Sequence, residues 1–283
     1  MKTRNLLSVG VLSLFGAWAV VLLMLPVLPA QGRPLSGDTA RTSRPIQRAT
    51  MYGLGWANMY DTYLSPQEYR GIEFRLSRES LRQTRWAQGR LMRQVFFQGY
   101  ANYTHNHVDN NNTLSALVNW NYGLHYRLLE AGGFRLLAGG LADLSGGFVW
   151  NLRNGNNPAS ARAAVAVDAS VAAVWNFRLR QLPFTLRYQL DVPVIGAAFS
   201  PHYGQSYYEI FSLGNAGGVV KFTSLHNRPS WRHRLSLDFP AGRLRMRFSY
   251  LWDAQQTRLN GIDTHAYSHV FMVGFVKQLT INN

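Results

Sequence analysis

Ser200, His202 and Glu209 stand close together in a polar stretch, and a serine, an imidazole and a carboxylate are the groups that acyl-transfer enzymes combine. Catalysis would need the serine oxygen within hydrogen-bond reach of an oriented imidazole. Pro201 separates Ser200 from His202, and no strained GxSxG turn is present. A packed loop with Tyr207 and Tyr208 closing over whatever lies beneath is the competing reading. His105, His107 and Asp109 alternate, so an extended segment would put them on one side, where two imidazoles can grip a transition metal. The surrounding HNHVDNNN explains them equally as a solvated loop. His265 and His269 share a face, but His269 alternates with Tyr267 and Phe271, which marks an interfacial histidine. No glycine-rich phosphate loop occurs, and no cofactor is expected.

The charged residues carry a stronger pattern. Read from Arg243, the run RLRMRFSYLWD places Leu244, Met246, Phe248, Tyr250 and Trp252 on one face and Arg243, Arg245, Arg247, Ser249 and Asp253 on the other. A period of two is a pleated strand. FTLRYQLDVPV from Phe184 repeats it, with Arg187, Gln189 and Asp191 on the polar face. Leu114–Leu128 repeats it again, with Ser115, Asn119, Asn121, His125 and Arg127 opposite Leu114, Val118, Trp120 and Tyr122. Further strands are expected over Tyr52–Leu64, Gly71–Ser80, Leu91–Thr104, Phe134–Trp150, Ala163–Leu179, Arg232–Phe239 and His265–Leu279. Such segments are about twice the usual soluble length and suit a tilted bilayer crossing.

Apolar residues outside and charges inside describe a membrane barrel, because a soluble barrel has the opposite arrangement. Short turns near 130, 181 and 240 alternate with long loops near 105, 152, 197 and 254. Ten strands return the chain to the side it started from. The expected fold is an all-β, transmembrane, up-and-down antiparallel barrel of ten strands over residues 49–283. Twelve strands are the alternative, if SYYEIF and GVVKFTS form an added hairpin. Aromatics fall at two levels: Tyr126, Phe134, Phe177, Phe184 and Phe239 near short turns, Trp150, Trp252 and Tyr267 near long loops. Two such belts are what bilayer interfaces select.

The inward face then carries Arg75, Arg127, Arg178, Arg187, Arg232, Arg234, Arg243, Arg245 and Arg247, with Glu73, Glu79, Asp143, Asp168, Asp191 and Asp238. At this barrel size they must pair across the lumen as a polar plug. A surplus of arginine there would otherwise make a narrow anion-selective throat.

The 283 residues include no cysteine, which excludes disulfides and thiol chemistry. Mean hydropathy of −0.15 fits a barrel, half of whose strand residues face a polar lumen. The net charge of +15 suits nucleic acid or an anionic lipid surface. Arginines that alternate with apolar residues, without clustering in tails, favour lipid and argue against nucleic acid. Lys2 and Arg4 precede an apolar run ending at Ala30, so residues 1–30 read as a signal peptide, with an uncleaved anchor as the alternative. Residues 31–48 read as a disordered periplasmic lead-in.

FSPHYGQSYYEIFSLGN (Phe199–Asn215), DTYLSPQEY from Asp61, LRNGNNP from Leu152, SWRHRLSLDFP from Ser230 and HAYSH from His265 together resemble a domain-of-unknown-function family. Its members are outer-membrane proteins from anaerobes of the Bacteroidetes group. The resemblance covers about Ala49 to Val276 and implies an outer-membrane barrel without assigning an activity or ligand.

The expectation is a non-enzymatic barrel in the outer membrane of a Gram-negative bacterium, reached by signal-peptide export. Its partners would be outer-membrane lipid, lipopolysaccharide and the barrel-assembly machinery. Its lumen would be filled by Arg127, Asp143, Asp168, Arg178, Arg187, Asp191, Arg232, Arg234, Asp238, Arg243, Arg245 and Arg247, and its loops would serve recognition. The alternatives are a lipid hydrolase or protease at the outer rim, and a narrow small-solute pore.

Overall fold

A computed structural model describes residues 44–155 and 157–281. The expected signal segment, and the lead-in up to residue 43, lie outside the described residues. Eleven strands follow: β1 (Arg44–Asp61), β2 (Ser65–Gln83), β3 (Leu91–Asn106), β4 (Asn112–Ala131), β5 (Phe134–Asn151), β6 (Ala159–Leu179), β7 (Leu182–Phe199), β8 (Val220–Ser224), β9 (Trp231–Ala241), β10 (Leu244–Leu259) and β11 (Ile262–Ile281). A short helix, α1 (Tyr207–Phe211), lies between β7 and β8.

Ten of the strands close a ring in which every partner is antiparallel. Consecutive strands pair from β1 to β7, β7 pairs with β9, and β11 pairs with β1 from Arg44↔Ile281 to Asp61↔Thr264. Closure pairs the first and last strands of the ring with each other, where an open sheet would leave both as edges. β8 is the strand outside this ring order: it prolongs the short β9 along the upper part of β7, from Ile195↔Ser224 to Phe199↔Val220. The twelve-strand alternative is therefore corrected. SYYEIF is helical because Ser206 and Glu209 form a reciprocal cap at its start, which a strand could not use.

Most other strands run longer than the alternation alone indicates. The segment expected as a loop at AQQTRLNGID is strand, and β10 and β11 are joined only by Asn260 and Gly261, both at positive φ. That pairing is a hairpin turn that needs left-handed backbone at both positions. Arg44–Arg48, expected in the lead-in, begins β1. His105 belongs to β3, not to the loop after it.

The outer surface is apolar around the ring: Leu54 is 68 % and Ile72 66 % exposed, with Phe74, Phe97, Val118, Val165, Phe248 and Phe271 also on it. A closed ring with this exterior crosses a bilayer with every backbone group paired internally. The interior is mostly polar but has an apolar seam: Met51, Leu251, Val270 and Met272 pack together inside, beneath the closing pair of β1 and β11. Tyr52–Leu64 reads ambiguously in sequence for this reason, since both faces of β1 hold apolar side chains.

Candidate functional site

The turns 132–133, 180–181 and 242–243 lie at the end of the barrel that holds Arg44 and Ile281. At the other end the longest connection, residues 200–230, holds α1 and β8. Two ion-pair clusters fill the lumen between them.

Glu79 on β2 centres the cluster nearer the short turns. Arg247 Nη1 donates to it, Arg234 Nη1 lies at 3.5 Å and Arg187 Nη1 at 3.7 Å. Arg247 also holds Asp238, and Arg234 Nη2 reaches Asp191 Oδ2 at 2.8 Å. Asp191 accepts further bonds from Ser170 and Gln189. Gln189 exchanges bonds with Gln94 across the lumen, and the Arg234 guanidinium stacks 4.1 Å above the Phe96 ring.

The second cluster lies nearer the long loop. Arg75 holds Glu73 on its own strand at 2.6 Å and Asp253 on β10 at 3.0 Å, and it stacks over Tyr100. Arg232 Nε touches Asp253 at 3.3 Å, and its Nη1 faces Asp143 at 3.8 Å. Asn119 and Asn121 donate to Asp143. A buried charge is tolerated only when paired and hydrogen-bonded, and nearly all of these are.

Among the expected lumen residues, Asp143, Arg187, Asp191, Arg232, Arg234, Asp238 and Arg247 are buried and paired. Asp168 is buried, but one carboxylate oxygen has no partner among the described residues. Arg127, Arg178 and Arg243 are corrected. Arg127 pairs with Glu130 near the short turn, and Arg178 and Arg243 are exposed, because the alternation that sends them inward continues past the barrel mouth. Arg245 is half-buried at that mouth and donates to Thr185. Glu73, Arg75, Glu79 and Asp253 carry more of the network than the residues at the mouth.

Among the described residues the buried lumen charges show no arginine surplus of the kind the pore alternative needs. Arg75, Arg187, Arg232, Arg234 and Arg247 stand among Glu73, Glu79, Asp143, Asp168, Asp191, Asp238 and Asp253. The space left in the lower cluster is about 20 Å³, the size of one water.

Above the upper cluster, a cavity of about 110 Å³ lies beneath the long loop. Asp143, Arg232 and Tyr100 line it together with Arg162, Arg228, Phe199 and Ser200. Arg162 is held by Asp61 at 2.8 Å. Arg228 is 6 % exposed, and its Nη1 has no partner among the described residues. The loop is ordered by packing: Tyr207 stacks on Phe199 and Phe211, its hydroxyl accepts from Ala161 N at 2.6 Å, and Tyr63 donates to Gln205 O. Burial raises the Tyr207 and Tyr63 hydroxyl pKa values. Glu209 is held below the ordinary glutamate range, first by the Ser206 backbone N–H and then by the Ser206 hydroxyl.

Ser200, His202 and Glu209 share no hydrogen bond. Ser200 Oγ donates to Pro201 O and Leu259 O, His202 Nε2 lies 3.3 Å from Gly217 O, and Glu209 caps α1. His105 and His107 are both exposed, and no group of three or more metal-binding side chains occurs among the described residues. His269 faces outward, its Nδ1 2.7 Å from the Tyr250 hydroxyl.

The fold and its polar, braced interior define a transmembrane β-barrel. The chain belongs to the family described as Protein of unknown function (DUF3316), whose model matches residues 18–282. No curated protein matches it by sequence. Among solved structures, the chain is similar to the outer membrane protease OmpT from Escherichia coli, at 6 % identity over 87 % of this chain and 99 % of that one, TM-score 0.44. It is also similar to an outer membrane channel from Pseudomonas putida F1, at 9 % identity over 90 % and 100 %, TM-score 0.36. The translocator domain of the autotransporter NalP from Neisseria meningitidis matches at 10 % identity over 93 % and 97 %, TM-score 0.36. Likenesses this distant assign no activity.

Proposed function

We propose that this protein is a non-conducting, non-enzymatic barrel of a Gram-negative outer membrane, whose long loop and the cup beneath it form a recognition surface. In this reading a signal segment exports the chain, the host's barrel-assembly machinery inserts it, and the long loop faces outward, since short turns belong on the periplasmic side. A Bacteroidetes-type envelope is the host that the sequence resemblance favours. Arg228, buried against the cup with its Nη1 unpartnered among the described residues, would favour an anionic group on whatever docks there.

One observation carries the reading: ion pairs join strands that are not neighbours, Arg75 to Asp253 and Arg247 to Glu79, so the lumen is tied shut across its width. Planar-bilayer recording tests it. The wild type is expected to pass no steady current, and the combined Glu73→Ala, Arg75→Ala and Asp253→Ala variant is expected to open one. A steady wild-type current would overturn the closed-barrel reading and return the narrow pore in its place.

A further inference from the structure

The outer wall at the short-turn end carries an arrangement that the lumen does not explain. In the ladder between β2 and β3, Arg82 stands directly opposite Arg93. In the ladder between β1 and β11, Arg48 stands directly opposite Lys277. Arg78 faces Thr50 between them.

Alternation sends all five outward. Each shares its strand face with an exposed apolar side chain a few residues nearer the mid-barrel: Tyr52, Leu76, Phe97 and Phe275. The five cations thus come from four adjacent strands and border the apolar band. The turn below them adds Arg85, Arg90 and Trp86, the last 59 % exposed. Trp at such a level is what the membrane–water interface selects.

Directly opposed side chains on an antiparallel pair have Cβ atoms about 5 Å apart, and like charges there destabilise the sheet. The usual remedy is a carboxylate nearby. None of the five enters an ion pair among the described residues. Glu79, on the same stretch of β2, points into the lumen and is fully engaged by Arg247 and its neighbours. Two repulsive cross-strand pairs standing side by side are an arrangement that a bound anion resolves.

We infer that this sector of β11, β1, β2 and β3 is a binding site for the headgroup phosphates of anionic phospholipid in the leaflet at the short-turn end. The position fixes the source of the anion. The cations sit just past the apolar band, where a bilayer presents its phosphates, and the adjoining apolar side chains take the acyl chains. Basic residues next to a membrane surface are each attracted to anionic headgroups, and five of them together suffice to retain lipid.

The full chain is reconstituted in nanodiscs of phosphatidylcholine alone and of equimolar phosphatidylcholine and phosphatidylglycerol, and thermal unfolding is followed. The wild type is expected to unfold several degrees higher with phosphatidylglycerol. Arg82→Gln with Arg93→Gln should remove most of that gain. The same variant should be at least as stable as wild type in phosphatidylcholine, because it deletes a repulsion. Arg258→Gln, at the opposite rim and paired with Asp263, should keep the full gain.

Equal wild-type midpoints in the two lipids, or an undiminished gain in the double variant, would overturn the site. So would inorganic phosphate producing the same rise in phosphatidylcholine, since that marks a simple ion effect. Should the double variant not fold, native mass spectrometry of the wild type released from mixed micelles decides: preferential retention of phosphatidylglycerol supports the site, and equal retention of both lipids sinks it.

Discussion

Arg75 and Asp253 meet inside the barrel, Nη1 to Oδ2 at 3.0 Å, although β1 and β11 lie between their strands on the wall. A bond between ring neighbours would only repeat what the backbone ladder already does. This one runs along a chord, and both side chains are almost wholly shielded, at 0 % and 2 % exposure. Arg232 extends it from Asp253 toward Asp143 on β5, so three sides of the wall are tied through two guanidinium groups. The charges that make the lumen polar therefore also set its width.

Glu79 is the position where this bracing is most concentrated, because it neutralises Arg247, Arg234 and Arg187 together. Glu79→Gln keeps the shape and removes the charge, which leaves three buried guanidinium groups short of a partner. Breaking a buried ion pair from one side costs about 3–5 kcal/mol. The urea midpoint for unfolding from detergent micelles should fall accordingly, whereas Arg258→Gln on the exposed rim should move it by less than about 1 kcal/mol.

Strand identity and facing were legible because alternation is local. Leu114–Leu128 alone separates the lipid side from the lumen side, and from Leu114 to His125 the structure keeps the alternation, with Ser115, Asn119, Asn121 and His125 buried; only Arg127, at the short-turn end, departs from it. Pairing was not legible. Which arginine meets which carboxylate depends on how strands stagger around a closed ring, a quantity no single segment encodes. Arg178 and Arg243 obey the same alternation as Arg187 and Arg247 yet lie beyond the mouth, since a period of two does not say where the barrel stops. The helix at Tyr207–Phe211 was hidden for a different reason: its Ser206–Glu209 cap is a polar signature inside a stretch dominated by aromatic residues that also suit a strand.

The hydrolase alternative makes a definite claim about Ser200. Its hydroxyl donates to backbone carbonyls, with no imidazole in contact, and His202 is turned toward Gly217. Ser200→Ala and His202→Ala are each expected to leave unchanged whatever trace of lipid or peptide hydrolysis the purified barrel displays. A loss of a hundredfold or more in either variant, with the fold intact, would reinstate a catalytic rim.

Acid should loosen the long loop. Glu209 accepts from the Ser206 N–H and hydroxyl, which lowers its pKa from the ordinary value of 4.5. A carboxylate depressed in the folded state contributes its stabilisation fully above that value and loses it as the pH falls through the lower, folded one. Protease nicking within residues 203–217 should therefore be slow at neutral pH and rise once the pH drops below the ordinary glutamate range. Glu209→Gln should be nicked at the same rate at both pH values; a wild-type rate that does not change with acid would refute the cap's role.

Gly274 tests the closing seam between β1 and β11. A Cβ placed there would collide with the Thr50 carbonyl oxygen and come within 2.7 Å of Met51 Cα, both backbone atoms of the facing strand. Backbone cannot swing aside as a side-chain end does, so Gly274→Ala has to spread the two strands whose pairing converts a sheet into a ring. Overpacking of this kind costs about 1–3 kcal/mol and sometimes more, and here it also strains the ladder on which closure depends. Gly146, on the wall at β5, supplies the contrast: the nearest atom to an added Cβ is 3.9 Å away, so Gly146→Ala should be neutral or slightly stabilising. Refolding yield into micelles and the urea midpoint should both drop for Gly274→Ala and hold for Gly146→Ala. Equal behaviour of the two would mean that β1 and β11 do not pair in this register.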